Sequence, residues 1–255
     1  MTLGSYRASL ELRFGIEFDV QFTKDGHLVC IHDATVDRTT HAFGRVNDLT
    51  LAAIRQLDAG SRFDPEFAGE QIPTVTEVLK LVAEYCHYNI LVAVDLKNAN
   101  IAEAVVRLAE KQCVLHRLLF VGRIASQPAV RDQIRRSSGK ALTSAAVSSP
   151  EELPGALTAS IADWVYFRQF MPSKGQIDAV HRANKRALIA GKPVRGHLPE
   201  NWLHVAGLGI DAILTDYPLE LRTTLRQNAE VLIDNKLREP DPRFSGPSSP
   251  ARTLG

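Results

Sequence analysis

Hydrophobic positions along this chain follow two periods. Short, nearly continuous apolar runs fall at 15–20, 90–97, 117–122, 140–147, 163–167, 186–191 and 211–216. Between them lie segments such as "NIAEAVVRLAEKQ" (100–112), in which apolar residues recur every three or four positions. The runs predict strands buried on both faces, and the intervening segments predict amphipathic helices. Alternation of the two predicts a parallel sheet covered by helices. The opening "MTLGSYRASLELRFG" predicts a helix with Thr2 as N-cap and Leu3, Tyr6 and Leu10 on one face. Thr74 with Glu77, and Ser149 with Pro150 and Glu152, carry capping-box signatures for two further helices.

One apolar run breaks the alternation. "LVCIH" (28–32) follows "GIEFDVQF" (15–22) after only a short segment containing Asp25-Gly26. A two-residue Asp-Gly turn makes an antiparallel hairpin, whereas parallel strands need a crossover of about a dozen residues. The run at 28–32 is therefore expected as a hairpin arm. The seven remaining strands are one short of a TIM (β/α)8 barrel. The expected fold is such a barrel over residues 1–230 with its first strand missing from this sequence. Residues 34–73 are expected as a polar insertion after the hairpin. The Pro- and Ser-rich 231–255 is expected as a disordered C-terminal tail.

Composition narrows the class. The chain has 255 residues, 45% of them hydrophobic, enough for one large core. A net charge of +1 suggests neither nucleic acid nor an acidic membrane surface as partner. No stretch reaches the roughly 18 apolar residues of a membrane span, and the start lacks the apolar block of a signal peptide. Cys30, Cys86 and Cys113 are odd in number and not at metal-ligand spacing, which reads as reduced, mostly buried thiols in a cytoplasmic protein.

Candidate chemistry gathers at the first strand. Side-chain alternation puts Glu17 and Asp19 on one face and Ile16, Phe18 and Val20 on the other. In a barrel the apolar set packs on helices and the acids point inward near the mouth. A two-residue turn at Asp25-Gly26 would set Asp19 opposite His32. Asp95, with Lys97 on its face, ends the next parallel strand. Buried carboxylates need a cation, and a divalent ion with oxygen ligands, Mg²⁺ or Ca²⁺, answers that need. Three acids, a lysine and a histidine around one mouth suit phosphate chemistry. Taken singly, each signal has a plainer reading. An E-x-D pair can be solvated, a strand histidine can be a satisfied core residue, and Lys97 can be a strand-end lysine. "LTDYP" (214–218) reads first as a strand terminus and turn.

The blocks "GIEFDVQFTKDGHLVCIHDATVDRTT", "IPTVTEVL", "VDLK" and "GIDAILTDYP" together resemble the glycerophosphodiester phosphodiesterase family, part of the phosphatidylinositol phospholipase C-like superfamily. The resemblance implies Glu17 and Asp19 as metal ligands and His32 as one of two catalytic histidines. Asp95 stands where the family usually carries a glutamate ligand, and Lys97 where it has a phosphate-contacting lysine. It also implies metal-dependent hydrolysis of glycerophosphodiesters to sn-glycerol 3-phosphate and an alcohol. The family's opening strand ends in His-Arg-Gly, and this sequence starts inside the segment that follows. Hydrolysis by the chain as it stands is therefore expected to be impaired. The competing expectation is a catalytically silent barrel acting as a binding or scaffold protein.

Overall fold

The computed structural model describes residues 1–191, 193 and 198–230. The tail expected at 231–255 lies outside the described residues. Helix α1 (Leu3–Glu11) starts at Thr2, whose hydroxyl accepts from Ser5 N at 3.3 Å, and buries Tyr6 and Leu10. Strand β1 (Ile16–Phe22) follows, then the arm β2 (Leu28–Cys30), and the helices further on include the short α2 (Leu51–Ile54) and α6 (Pro128–Ser137). The parallel strands β3 (Val92–Leu96), β4 (Leu118–Val121), β5 (Leu142–Val147), β6 (Trp164–Phe167), β7 (Arg186–Ile189) and β8 (Ala212–Ile213) complete the sheet. Its order is β2-β1-β3-β4-β5-β6-β7-β8, with β2 alone antiparallel among these strands. Among the described residues, seven strands therefore run parallel in chain order, the curled (β/α) barrel wall that the apolar periodicity predicts.

Three apolar layers hold this wall. Phe18, Val20, Val94, Leu96 and Phe120 face helices that include α3 (Val75–Glu84) and α4 (Ala102–Lys111). Phe167, Ile189 and Val147 pack against α7 (Leu153–Thr158), α8 (Lys174–Arg182) and α9 (Pro199–Leu208), where Trp202 is fully buried. The inner face carries Ala93, Leu119, Val121, Trp164, Tyr166 and Leu188, so the barrel interior is packed. Each fully buried Phe or Leu stabilises the fold by about 1.5–3 kcal/mol.

Three local expectations change. Thr74 and Glu77 form their capping box, with Glu77 N donating to Thr74 Oγ1 at 3.2 Å and Thr74 N to Glu77 Oε2 at 2.8 Å. Ser149 makes no such cap. Pro150 opens a 3-10 turn, and Glu152 accepts from Ser148 N at 2.7 Å. The stretch 34–73 is not simply polar, for Val36, Val46, Ile54 and Ile72 join Val29 and Ile31 in a small core of their own. Its return seats on β2, where Cys30 N donates to Pro73 O at 2.8 Å. Of the cysteines, Cys30 is buried, Cys86 half-buried and Cys113 exposed, so the expectation of mostly buried thiols holds fully only for Cys30. No helix among the described residues is long and apolar enough to cross a membrane.

Candidate active site

Parallel register builds the site. β1 pairs with β3 so that Asp19 and Asp95 are Cα partners, and alternation adds Glu17 on one strand and Lys97 beyond the other. The Lys97 ammonium lies 2.5 Å from Asp19 Oδ1 and 3.0 Å from Asp95 Oδ2. Oxygens of Glu17, Asp19 and Asp95 all fall within 4.8 Å of one another. The backbone makes room for this at Gly122, at the head of α5 (Gly122–Ala125). Its φ is +84°, and a Cβ there would stand 2.2 Å from Asp95 Oδ1.

The electrostatics follow from crowding. Burial, then the charges of Asp19 and Asp95, push the Glu17 carboxyl up to about 8. Burial also raises Asp95, against the pull of Lys97. Burial opposes charge on Lys97, but hydrogen bonding to Asp19 and the charge of Asp95 outweigh it and hold the ammonium above its ordinary range. One lysine cannot neutralise three ionised carboxylates. The donor set is all oxygen, which suits Mg²⁺ or Ca²⁺.

His32 stands on the rim, its side chain 60% exposed, and is not part of the carboxylate cluster. Its Nδ1 is 2.7 Å from Asp33 Oδ1. Asp33 also accepts from Arg38 Nε at 2.5 Å and Nη2 at 3.1 Å. Arg38 first, then His32, draws the Asp33 carboxyl down to about 2. Gln21, on the same face of β1 as the acids, donates to the carbonyls of Ile31, His32 and Asp33 and clamps this segment.

The expected opposition of Asp19 and His32 does not occur. Thr23 and His27 close the hairpin, with Gly26 at φ +81°, so the loop has an extra residue over a two-residue turn. Val20 then pairs with Cys30, and Ile31 N donates to Asp19 O at 3.1 Å. The slip of one position sets Ile31, and not His32, opposite Asp19.

Three residues that the sequence did not single out complete the mouth. Tyr166 and Arg168 continue the inner face of β6, with Arg168 Cζ 5.7 Å from the Tyr166 ring centroid. Burial raises the Tyr166 hydroxyl; Arg168 works against this, and the charges of Asp95 and Glu17 add to it. Asp216, after β8, adds its charge to the field on Glu17. The signal available in the sequence was positional, since Tyr166 lies near the carboxyl end of β6, and Arg168 and Asp216 follow the ends of β6 and β8.

An α/β barrel with its polar residues at the carboxyl ends of the strands is the architecture in which catalytic groups gather there. The model of the glycerophosphoryl diester phosphodiesterase family matches residues 1–220, and the chain belongs to that family. It is 50% identical over 98 residues to a glycerophosphodiester phosphodiesterase of Caldanaerobacter subterraneus subsp. tengcongensis. That match takes in 38% of this chain and 39% of the relative, so the chain spans about two fifths of the relative's length. In fold it is similar to a glycerophosphodiester phosphodiesterase from Agrobacterium tumefaciens, with a TM-score of 0.72 at 21% identity over 86% of this chain and 91% of the other. It is also similar to a phosphodiesterase of Oleispira antarctica solved in complex with the product sn-glycerol-3-phosphate. There the TM-score is 0.73 at 22% identity, over 88% and 90% of the two chains.

Proposed function

We propose that this protein hydrolyses glycerophosphodiesters to sn-glycerol 3-phosphate and an alcohol, with Mg²⁺ or Ca²⁺ as cofactor. The observation that carries the reading is the convergence of Glu17, Asp19 and Asp95 on one point beside Lys97, in a chain of this family. Those three carboxylates would hold the ion, which when bound supplies charge to neutralise phosphoryl oxygens. Lys97 brings a further positive charge to the same oxygens and bridges Asp19 and Asp95. His32 transfers a proton from Nε2 to the leaving alkoxide. Asp33 fixes the ring by accepting from Nδ1–H and stabilises the imidazolium, and Arg38 holds Asp33.

The test is release of sn-glycerol 3-phosphate from sn-glycero-3-phosphocholine, with either ion and with chelator. Turnover that chelation abolishes, and that Glu17→Gln lowers at limiting metal, supports the reading. No turnover of any glycerophosphodiester with either ion overturns it.

A further inference from the structure

Lys97 already faces two carboxylates at 2.5 and 3.0 Å, so much of its charge is answered within the protein. Arg168 is differently placed. It is half-buried at the carboxyl end of β6, in line with the inward-facing Trp164 and Tyr166. Its backbone is fixed by donation from Arg168 N to Val147 O at 3.0 Å. Its guanidinium rests against Tyr166 and has no ion-pair partner among the described residues. Three strands separate β6 from β1, so Arg168 stands on the wall across from the acids. Its guanidinium packs on the ring of Tyr166, which belongs to the cluster lining the barrel interior.

An anion entering this mouth therefore meets positive charge from both walls. A guanidinium presents a planar fork of donors that matches a phosphoryl group. We propose that Arg168 is a phosphate-binding residue, taking non-bridging oxygens of the phosphoryl group from the wall opposite Glu17, Asp19 and Asp95. Tyr166 is its positioning residue. The proposal rests on the phosphodiesterase reading above and adds a contact on the second wall.

Arg168→Gln and Arg168→Lys in the 255-residue chain test it. Binding of sn-glycerol 3-phosphate is read by calorimetry, and kcat/KM is read on sn-glycero-3-phosphocholine and sn-glycero-3-phosphoserine. Loss of a charged hydrogen-bond pair predicts that Arg168→Gln weakens product binding by about ten- to a hundredfold. Both diesters should lose kcat/KM to a similar degree, and Arg168→Lys, which keeps charge but not the fork, should recover part of each loss. Unchanged product affinity overturns the assignment. So does a loss confined to the phosphoserine diester, which would place Arg168 on the head group. Should Arg168→Gln fail to fold, an Arg168→Lys variant with wild-type product affinity and kcat/KM overturns it equally. If the unaltered chain turns over no diester, the functional reading fails, while titration with product or inorganic phosphate still reports on Arg168. Failure of the unaltered chain to bind either anion overturns this proposal as well.

Discussion

Asp19 and Asp95 are register partners on adjacent parallel strands, and the Lys97 ammonium lies between their carboxylates, 2.5 Å from one and 3.0 Å from the other. Asp19 has a side chain only 3% exposed, so without Lys97 or another cation its charge stands nearly alone in a poorly solvated place.

Lys97→Met is expected to lower turnover by about 10²–10³-fold through lost stabilisation of the phosphoryl oxygens. It should also destabilise the metal-free fold by roughly 1–3 kcal/mol, since buried Asp19 and half-buried Asp95 lose their charged donor. Coupled assay and urea unfolding in chelator check the two effects. Wild-type turnover in this variant would remove Lys97 from the mechanism.

Glu17 sets a pH dependence on the chelated protein. Its folded pKa, raised by burial to about 8, stands above that of the unfolded chain. The folded state holds the proton more tightly, so this contribution is fully present below the ordinary carboxylate range. It is lost as pH rises through the folded value of about 8. With chelator, melting temperature should fall between pH 5 and pH 8.5 by less in Glu17→Gln than in the parent. Adding Mg²⁺ or Ca²⁺ should restore the parent at the high-pH end.

Asp33 is drawn down to about 2, chiefly by Arg38, so it remains ionised beside His32 through the neutral range. The sign here is opposite to that of Glu17. Its contribution is present above the ordinary carboxylate range and is lost as pH falls towards the folded value. Asp33→Asn should keep the fold at neutral pH but lower kcat roughly ten- to a hundredfold, with KM little changed. His32→Ala should cost about 10²–10⁴-fold. Steady-state kinetics on both variants checks this pair, and an unimpaired His32→Ala enzyme would dismiss the proton-transfer role.

Gly122→Ala tests the space behind Asp95. Its φ of +84° disfavours a side chain, and the new Cβ would sit 2.2 Å from Asp95 Oδ1. A left-handed non-glycine residue costs about 1–2 kcal/mol. The displaced carboxylate should weaken divalent-ion binding as well, measured by calorimetric titration. Unchanged ion affinity would mean that Asp95 reaches the ion from more than one position.

Much of this molecule follows from patterns local to the chain. A period of two places Glu17 and Asp19 on one face of β1 and Phe18 and Val20 on the other, and burying the apolar pair turns the acids inward. Thr74 and Glu77 start α3 because their donors and acceptors meet within one turn. The hairpin between β1 and β2 was legible but its register was not. A single backbone conformation at Gly26 adds a loop residue and moves His32 off Asp19. Tyr166 and Arg168 could not be assigned from their neighbours in sequence, because nothing adjacent distinguishes them from ordinary strand-end residues, and Asp216 lay in a recognisable block without a role. Curvature of the sheet brings the ends of β6 and β8 within electrostatic reach of the acids on β1 and β3. Alternation is a property of a few consecutive residues and can be read from the chain. Charges carried on separate strands meet only when the sheet curls and brings the strand ends together, and the tertiary structure alone decides that.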